Sequence, residues 1–157
     1  MKQEGISINK YISETGFCSR READKLIETG RVILNGERAK KGNRVLENDL
    51  VKVDSRPLKK KTMPVYIVLN KPKGITCTTD LKDGTNIISF INFKSRIFPI
   101  GRLDKLSEGL IFLTNDGNIV NKILRAENGH EKEYVVTLDK TIDPDFIKRM
   151  GNGIAIL

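Results

Sequence analysis

The sequence predicts an α+β protein in two parts. Three observations lead there. Helical and strand periods alternate along the chain rather than one period dominating. A proline- and lysine-rich stretch with no apolar period, SRPLKKKTM, interrupts them near residue 60. Hydrophobic residues make up 38% of 157 residues, enough for a core in each part. The expected organisation is a small α+β domain over residues 1–54, a basic linker over 55–63 and part of a mixed-sheet domain over 64–157.

In the first part, Ser7 stands where it can cap a helix carrying Ile8, Tyr11 and Ile12 on one face, and Gly16 stands where such a helix ends. Ser19-Arg20-Arg21-Glu22 has the spacing of a capping box, with serine and glutamate satisfying each other's backbone amides. Ala23, Leu26 and Ile27 give the second helix its apolar stripe, and Gly30 stops it. Val32-Ile33-Leu34 reads as a strand. Asn35-Gly36 tolerates the positive φ of a tight hairpin turn. Val45-Leu46 and Leu50–Val53 read as further short strands.

In the second part, Val65–Leu69 is a strand, Asn70–Gly74 a turn, and Ile75–Thr78 its continuation. Asn86–Phe93 suits a short helix. Phe98–Asp104 reads as a loop and Gly109–Leu113 as an apolar strand. Asp116 caps a helix with Ile119, Val120, Ile123 and Leu124 at helical spacing. Tyr134–Leu138 reads as a strand, and Asp143-Pro144 starts a last helix. The chain then stops on the apolar Ile154–Leu157, which suggests that a continuation is missing.

Composition narrows the function classes. No run of 18 apolar residues exists and Met1–Lys10 lacks the apolar core of a secretory signal, so no membrane is expected. Cys18 and Cys77 stand alone, which suits a reducing cytoplasm. Two cysteines and the single His130, widely scattered, predict no metal site. The formal charge is +8, and it is uneven. Fifteen basic residues face nine acidic ones before residue 63, against thirteen and eleven after it, so a polyanion would meet the first part.

The candidates there are Lys10, Arg20, Arg21, Lys25, Arg31 and Arg38, with the two arginines opening a helix whose N-terminus is itself electropositive. One reading is phosphate binding to a structured RNA; the other is a solvated helix face. No aromatic ladder for single-strand stacking is present. The stretch Ile8–Val53, with SRREAD, the Gly30 stop, VILNG and NDLV, resembles the alpha-L RNA-binding module of ribosomal protein S-four. That resemblance implies contacts to double-helical or junction RNA through basic helix residues.

A second constellation is Gly101-Arg102-Leu103-Asp104, followed by Lys105 and Ser107-Glu108-Gly109. Neighbouring cations favour an ionised Asp104, suited to a nucleophile or an electrostatic stabiliser. A surface salt bridge in a turn is the competing reading. NKPKG at 70–74, FPIGRLDKLSEGLIFLTNDG at 98–117 and HEKEYVV at 130–136 then resemble, in order, the motifs of rRNA pseudouridine synthases. The likeness is to the Rsu-like branch with its alpha-L domain in front, and within it to the F-type synthases that act on 23S rRNA.

The resemblance implies an isomerase that turns uridine into pseudouridine in rRNA, above all in 23S rRNA, with no cofactor. Asp104 is implied as the catalytic aspartate. Tyr134 is implied to stack on the target base, a packed core tyrosine being the alternative. Arg102 is implied either to pair with Asp104 or to fill the gap that a flipped base leaves in the RNA stack. Asn70, Lys71 and Pro72 are implied as structural support. A monomer is the default, and whether tRNA also serves stays open in the residues. Relatives continue beyond residue 157, so this chain is expected to bind RNA and to isomerise it poorly or not at all. The rival readings are an RNA-binding protein without activity and a ribosome-associated factor using only residues 1–54.

Overall fold

The computed structural model describes residues 5–58, 63–125, 129 and 131–155. His130, the lysine run 59–61 and the last two residues of the apolar terminus lie outside the described residues. The expected α+β class holds: short helices and antiparallel sheets gather around two separate cores.

The first core is built by helical period. Strand β1 (Ile6–Ser7) leads directly into α1 (Ile8–Glu14), and α2 (Arg20–Glu28) follows. Ile8 and Ile12 from α1 meet Ala23 and Ile27 from α2, all buried, because positions four apart share a helix face. Truncating Ile12 to alanine should cost roughly 2–5 kcal/mol on that account. Gly16 and Gly30 hold φ of +81° and +72° just beyond the helix ends, which a side chain would strain. The capping box of α2 is complete: the Ser19 amide donates to Glu22 at 2.7 Å, and the Glu22 amide donates to Ser19 Oγ at 3.2 Å.

Ser7 departs from expectation. Its side chain makes no cap hydrogen bond. The Ile8 amide instead donates to the Asn43 carbonyl at 3.0 Å, since β1 is zipped to β4 (Arg44–Val45). A four-stranded antiparallel sheet closes the other side of this core. Its order is β3 (Glu37–Arg38), β2 (Val32–Leu34), β5 (Val51–Val53), β6 (Arg56–Pro57). Asn35 and Gly36 both hold positive φ, as the tight β2–β3 hairpin requires.

The second core lies beneath a three-stranded antiparallel sheet ordered β7 (Tyr66–Lys71), β9 (Gly109–Thr114), β8 (Phe98–Ile100). Alternation decides its faces. Ile67, Leu69, Ile111 and Leu113 point inward to Cys77, Ile97 and Ile87 of α3 (Ile87–Ile91), while Tyr66, Val68, Leu110 and Phe112 point outward. Helices α4 (Gly117–Leu124) and α5 (Pro144–Gly151) follow, capped by Asp116 and Asp143 as expected.

Three strand expectations are corrected. Phe98–Ile100 is a strand, its proline at the sheet edge where no amide donor is needed. Ile75–Thr78 makes only a bridge between Thr76 and Asn86. Tyr134–Leu138 forms no strand among the described residues. Its alternating side chains have no sheet to pair with, and Tyr134, Val135 and Val136 stand exposed.

Candidate functional site

The segment Gly101–Glu108 joins β8 to β9. Its chain direction is set by glycines at both ends, Gly101 at φ +79° and Gly109 at φ +128°. Between them an extended alternation operates: Leu103 turns inward against the second core, so Arg102 and Asp104 turn outward. The backbone of the loop is tied down at three points. The Leu103 amide approaches Cys77 Sγ at 3.4 Å. The Ser107 amide donates to the Asp104 carbonyl at 3.1 Å, closing a turn. The Lys105 carbonyl accepts the Gly74 amide at 2.8 Å.

Lys71 adds a fourth tie. It ends β7 on the inner face and is fully buried. Its Nζ donates to the carbonyls of Pro72 and Ile75, each at 2.9 Å, and to that of Lys105 at 3.4 Å. Three donors therefore meet three acceptors, the condition for keeping an ammonium inside a protein. The supporting role expected of the NKPKG segment is visible in this geometry. Lys73 and Glu108 add an exposed contact at 3.9 Å between the same two loops.

The result is a rigid loop with free side chains. Neither the Asp104 nor the Arg102 side chain has a hydrogen-bond or ion-pair partner among the described residues, and both are exposed. The expected Arg102–Asp104 pair is not formed, because the two side chains leave an extended backbone without converging. An unpartnered carboxylate on a fixed backbone can act as nucleophile or base. Tyr134 lies on an extended segment, 78% exposed, with no hydrogen bond to that loop among the described residues. The core alternative for Tyr134 is thereby set aside. No group of residues that could hold a metal ion occurs among the described residues.

The basic face divides by partner. Arg31 holds Asp54 through two hydrogen bonds of 2.7 and 2.6 Å. That contact pulls the Asp54 carboxyl below its usual value, and Arg31 is spent on the fold. Lys10 sits 3.7 Å from Glu14 one turn away. Among the described residues Arg20, Arg21 and Arg38 form no ion pair and remain available, while Lys25 forms none but acts on the nearby Glu22 carboxyl. The capping box occupies the Ser19 and Glu22 amides, and the arginine side chains extend from the same turn. Sequence reasoning missed Arg96. Its guanidinium lies 5.5 Å over the Phe98 ring, and the only signal was its place two residues ahead on an alternating run.

Comparison with known proteins matches these two halves to two families. Residues 7–62 match the S4 domain, and residues 65–154 match RNA pseudouridylate synthase. A protein of Salmonella typhi named dual-specificity RNA pseudouridine synthase RluF is 57% identical over 96% of this chain and 53% of its own length. The Escherichia coli K12 protein of that name is 54% identical over the whole chain and 55% of its own. Ribosomal large subunit pseudouridine synthase B of Bacillus subtilis is 32% identical over 95% of this chain and 62% of its own. A crystal structure of a pseudouridylate synthase superposes with a TM-score of 0.53 at 26% identity, covering 97% of this chain and 66% of that one. The chain thus spans about half the length of its RluF relatives. With the family matched across more than half of its residues, behind an S4 domain, the chain belongs to the RNA pseudouridylate synthases.

Proposed function

We propose that this chain recognises folded ribosomal RNA through its first domain and isomerises a uridine to pseudouridine with Asp104. The observation that carries the reading is the exposed, unpartnered Asp104 on a loop fixed at Leu103, Lys105 and Ser107. The reaction breaks the bond between ribose and the base nitrogen N1, rejoins the base through C5, releases the C5 hydrogen as a proton and leaves N1 to take up a proton from water. Asp104 engages the nucleotide, and the fixed backbone spares the reorganisation that a mobile loop would demand. The target base must leave its stack to reach that carboxylate. Arg102, free of Asp104 and exposed on the same loop, is placed to fill the vacated space. Tyr134, exposed and unpartnered, is free to stack on the flipped base.

The domain boundaries proposed are 1–54, 55–63 and 64–157. Large-subunit rRNA is the proposed substrate, supported by the name of the Bacillus subtilis relative. The dual-specificity names support a second RNA class, tRNA being the candidate. Among the described residues no helix is long and apolar enough to cross a membrane, and a monomer acting in the cytoplasm is the proposed setting.

The test is tritium release from a 23S rRNA transcript labelled at uracil C5. Slow release by this chain and none by Asp104→Asn is expected. Equal release by both would remove Asp104 from the chemistry, and no release by either would mean that these residues only bind RNA.

A further inference from the structure

A cleft of about 250 Å³ separates the two cores, and two arginines from opposite sides line it. Arg20 comes from the first turn of α2. A Cβ built on Gly117 would lie 4.0 Å from its Nη2, so its guanidinium reaches the first turn of α4 in the second domain. Arg96 comes from the segment leading into β8, half-buried, with the Phe98 ring beneath its guanidinium. Ser13 and Asn121 add neutral hydrogen-bonding side chains to the walls. The acidic residue in the cleft, Glu14, already faces Lys10 at 3.7 Å. Glu22 nearby accepts the Ser19 amide and also feels the Arg96 charge, so it is the carboxylate an incoming phosphate would have to outweigh.

The cleft also stands at a fixed distance from Asp104. Helix α4 begins beside Arg20 and ends beside the Asp104 loop, where Leu124 Cδ2 lies 3.8 Å from a Cβ built on Gly101. Eight helical residues span about 12 Å. Two cations facing each other across a narrow, polar-walled cleft attract an anion more strongly than either would alone, and the low-dielectric walls focus that field. A guanidinium over an aromatic ring makes no hydrogen bond to it, which leaves its N–H donors for phosphate oxygens.

We infer that this cleft seats a backbone phosphate of the RNA substrate between Arg20 and Arg96. The seat fixes the register between the duplex held by the first domain and the nucleotide presented to Asp104. The inference rests on the RNA reading above and adds a second-domain residue, Arg96, to the contact face. RNA backbone is the occupant because both poles are cationic, the Phe98 ring in the cleft lies under Arg96, and Arg20 joins the cleft to Arg21 on the first turn of α2.

The experiment measures binding of a stem–loop transcript of large-subunit rRNA to the full chain across a salt series. Arg96→Gln should weaken binding about fivefold and lower the salt slope by about 1. Arg96→Lys should keep most of the slope. Arg20→Gln with Arg96→Gln should cost less than the product of the two single losses, since both hold one phosphate. Thermal melts of each variant separate lost contact from lost fold. Unchanged affinity and slope in Arg96→Gln, with Arg21→Gln still weakening binding, would overturn the seat and leave the RNA reading intact. Multiplicative losses in the double variant would overturn the shared phosphate. Unchanged binding in all of them would overturn the RNA reading itself.

Discussion

Lys71 reaches across 34 residues of sequence to the carbonyl of Lys105, the residue that follows Asp104, at 3.4 Å. A buried cation thus anchors the loop from beneath while the carboxylate stays in solvent on top. Lys71→Met keeps the volume and removes the donors, leaving the Pro72, Ile75 and Lys105 carbonyls short of a partner. The expected loss is about 2–3 kcal/mol, seen as a lower urea midpoint at unchanged slope. Tritium release should fall as well, while RNA affinity of the folded chain holds, because Lys71 bonds neither to the α2 arginines nor to Arg96.

Asp104→Asn should behave oppositely. The side chain touches nothing in the described residues, so stability should stay within about 0.5 kcal/mol of the parent. RNA affinity should be equal or slightly higher, since one negative charge facing a polyanion is gone. A melt and a binding isotherm check both, and a large stability loss would mean that Asp104 is structural.

The basic residues should separate by partner. Arg20→Gln with Arg21→Gln should lower the salt slope of RNA binding by roughly 1.5–2, because two free cations are removed. Arg31→Gln should leave the slope near the parent's, because Arg31 is already committed to Asp54. Its loss should appear instead in the acid limb of stability. Asp54 sits below its usual value in the folded chain, so the pair stabilises above about pH 4 and fades as pH falls through the lowered value. Without Arg31 that acid dependence should flatten.

Much of this architecture is legible in the sequence, for local reasons. Ile8, Ile12, Ala23 and Ile27 announce a buried seam by helical spacing, and Ser19 with Glu22 announces a cap by distance along the chain. The outward pair Arg102 and Asp104 follows from alternation around Leu103. What fails is what depends on a distant neighbour. Lys71 reads as part of the Asn70–Gly74 turn until the β7 register places it, buried, on the inner face. Arg31 reads as one more RNA contact until Asp54 folds onto it from the far side of the hairpin. Tyr134–Leu138 has strand composition, but composition cannot supply the second strand that its amides require.

Glu22 carries a further pH signature. The Ser19 amide, then the Ser19 hydroxyl, hold its carboxyl below the usual value, and Arg96 and Lys25 add to the effect against a small opposing cost of burial. Glu22→Gln should therefore melt lower than the parent at pH 7. The gap should close as pH falls from about 4.5 through the lowered value, because the parent carboxyl is then neutral too. A gap that persists at about pH 2.5 would show that the glutamate acts through shape alone.

Cys18 tests the closeness of the two cores from a different direction. Burial, with Glu22 adding to it and Arg96 from the second domain opposing both, pushes its thiol up to about 11. The protonated thiol is favoured in the folded chain, so this group stabilises fully below about pH 9 and the increment is lost as pH rises toward 11. At pH 8 the thiolate population in the folded chain should be tens of times lower than in urea, and iodoacetamide should alkylate Cys18 correspondingly slowly. Peptide mass spectrometry distinguishes it from the buried Cys77. Arg96→Gln removes the one opposing field and should slow alkylation further. An unchanged rate in that variant would mean that Arg96 does not act on the Cys18 thiol.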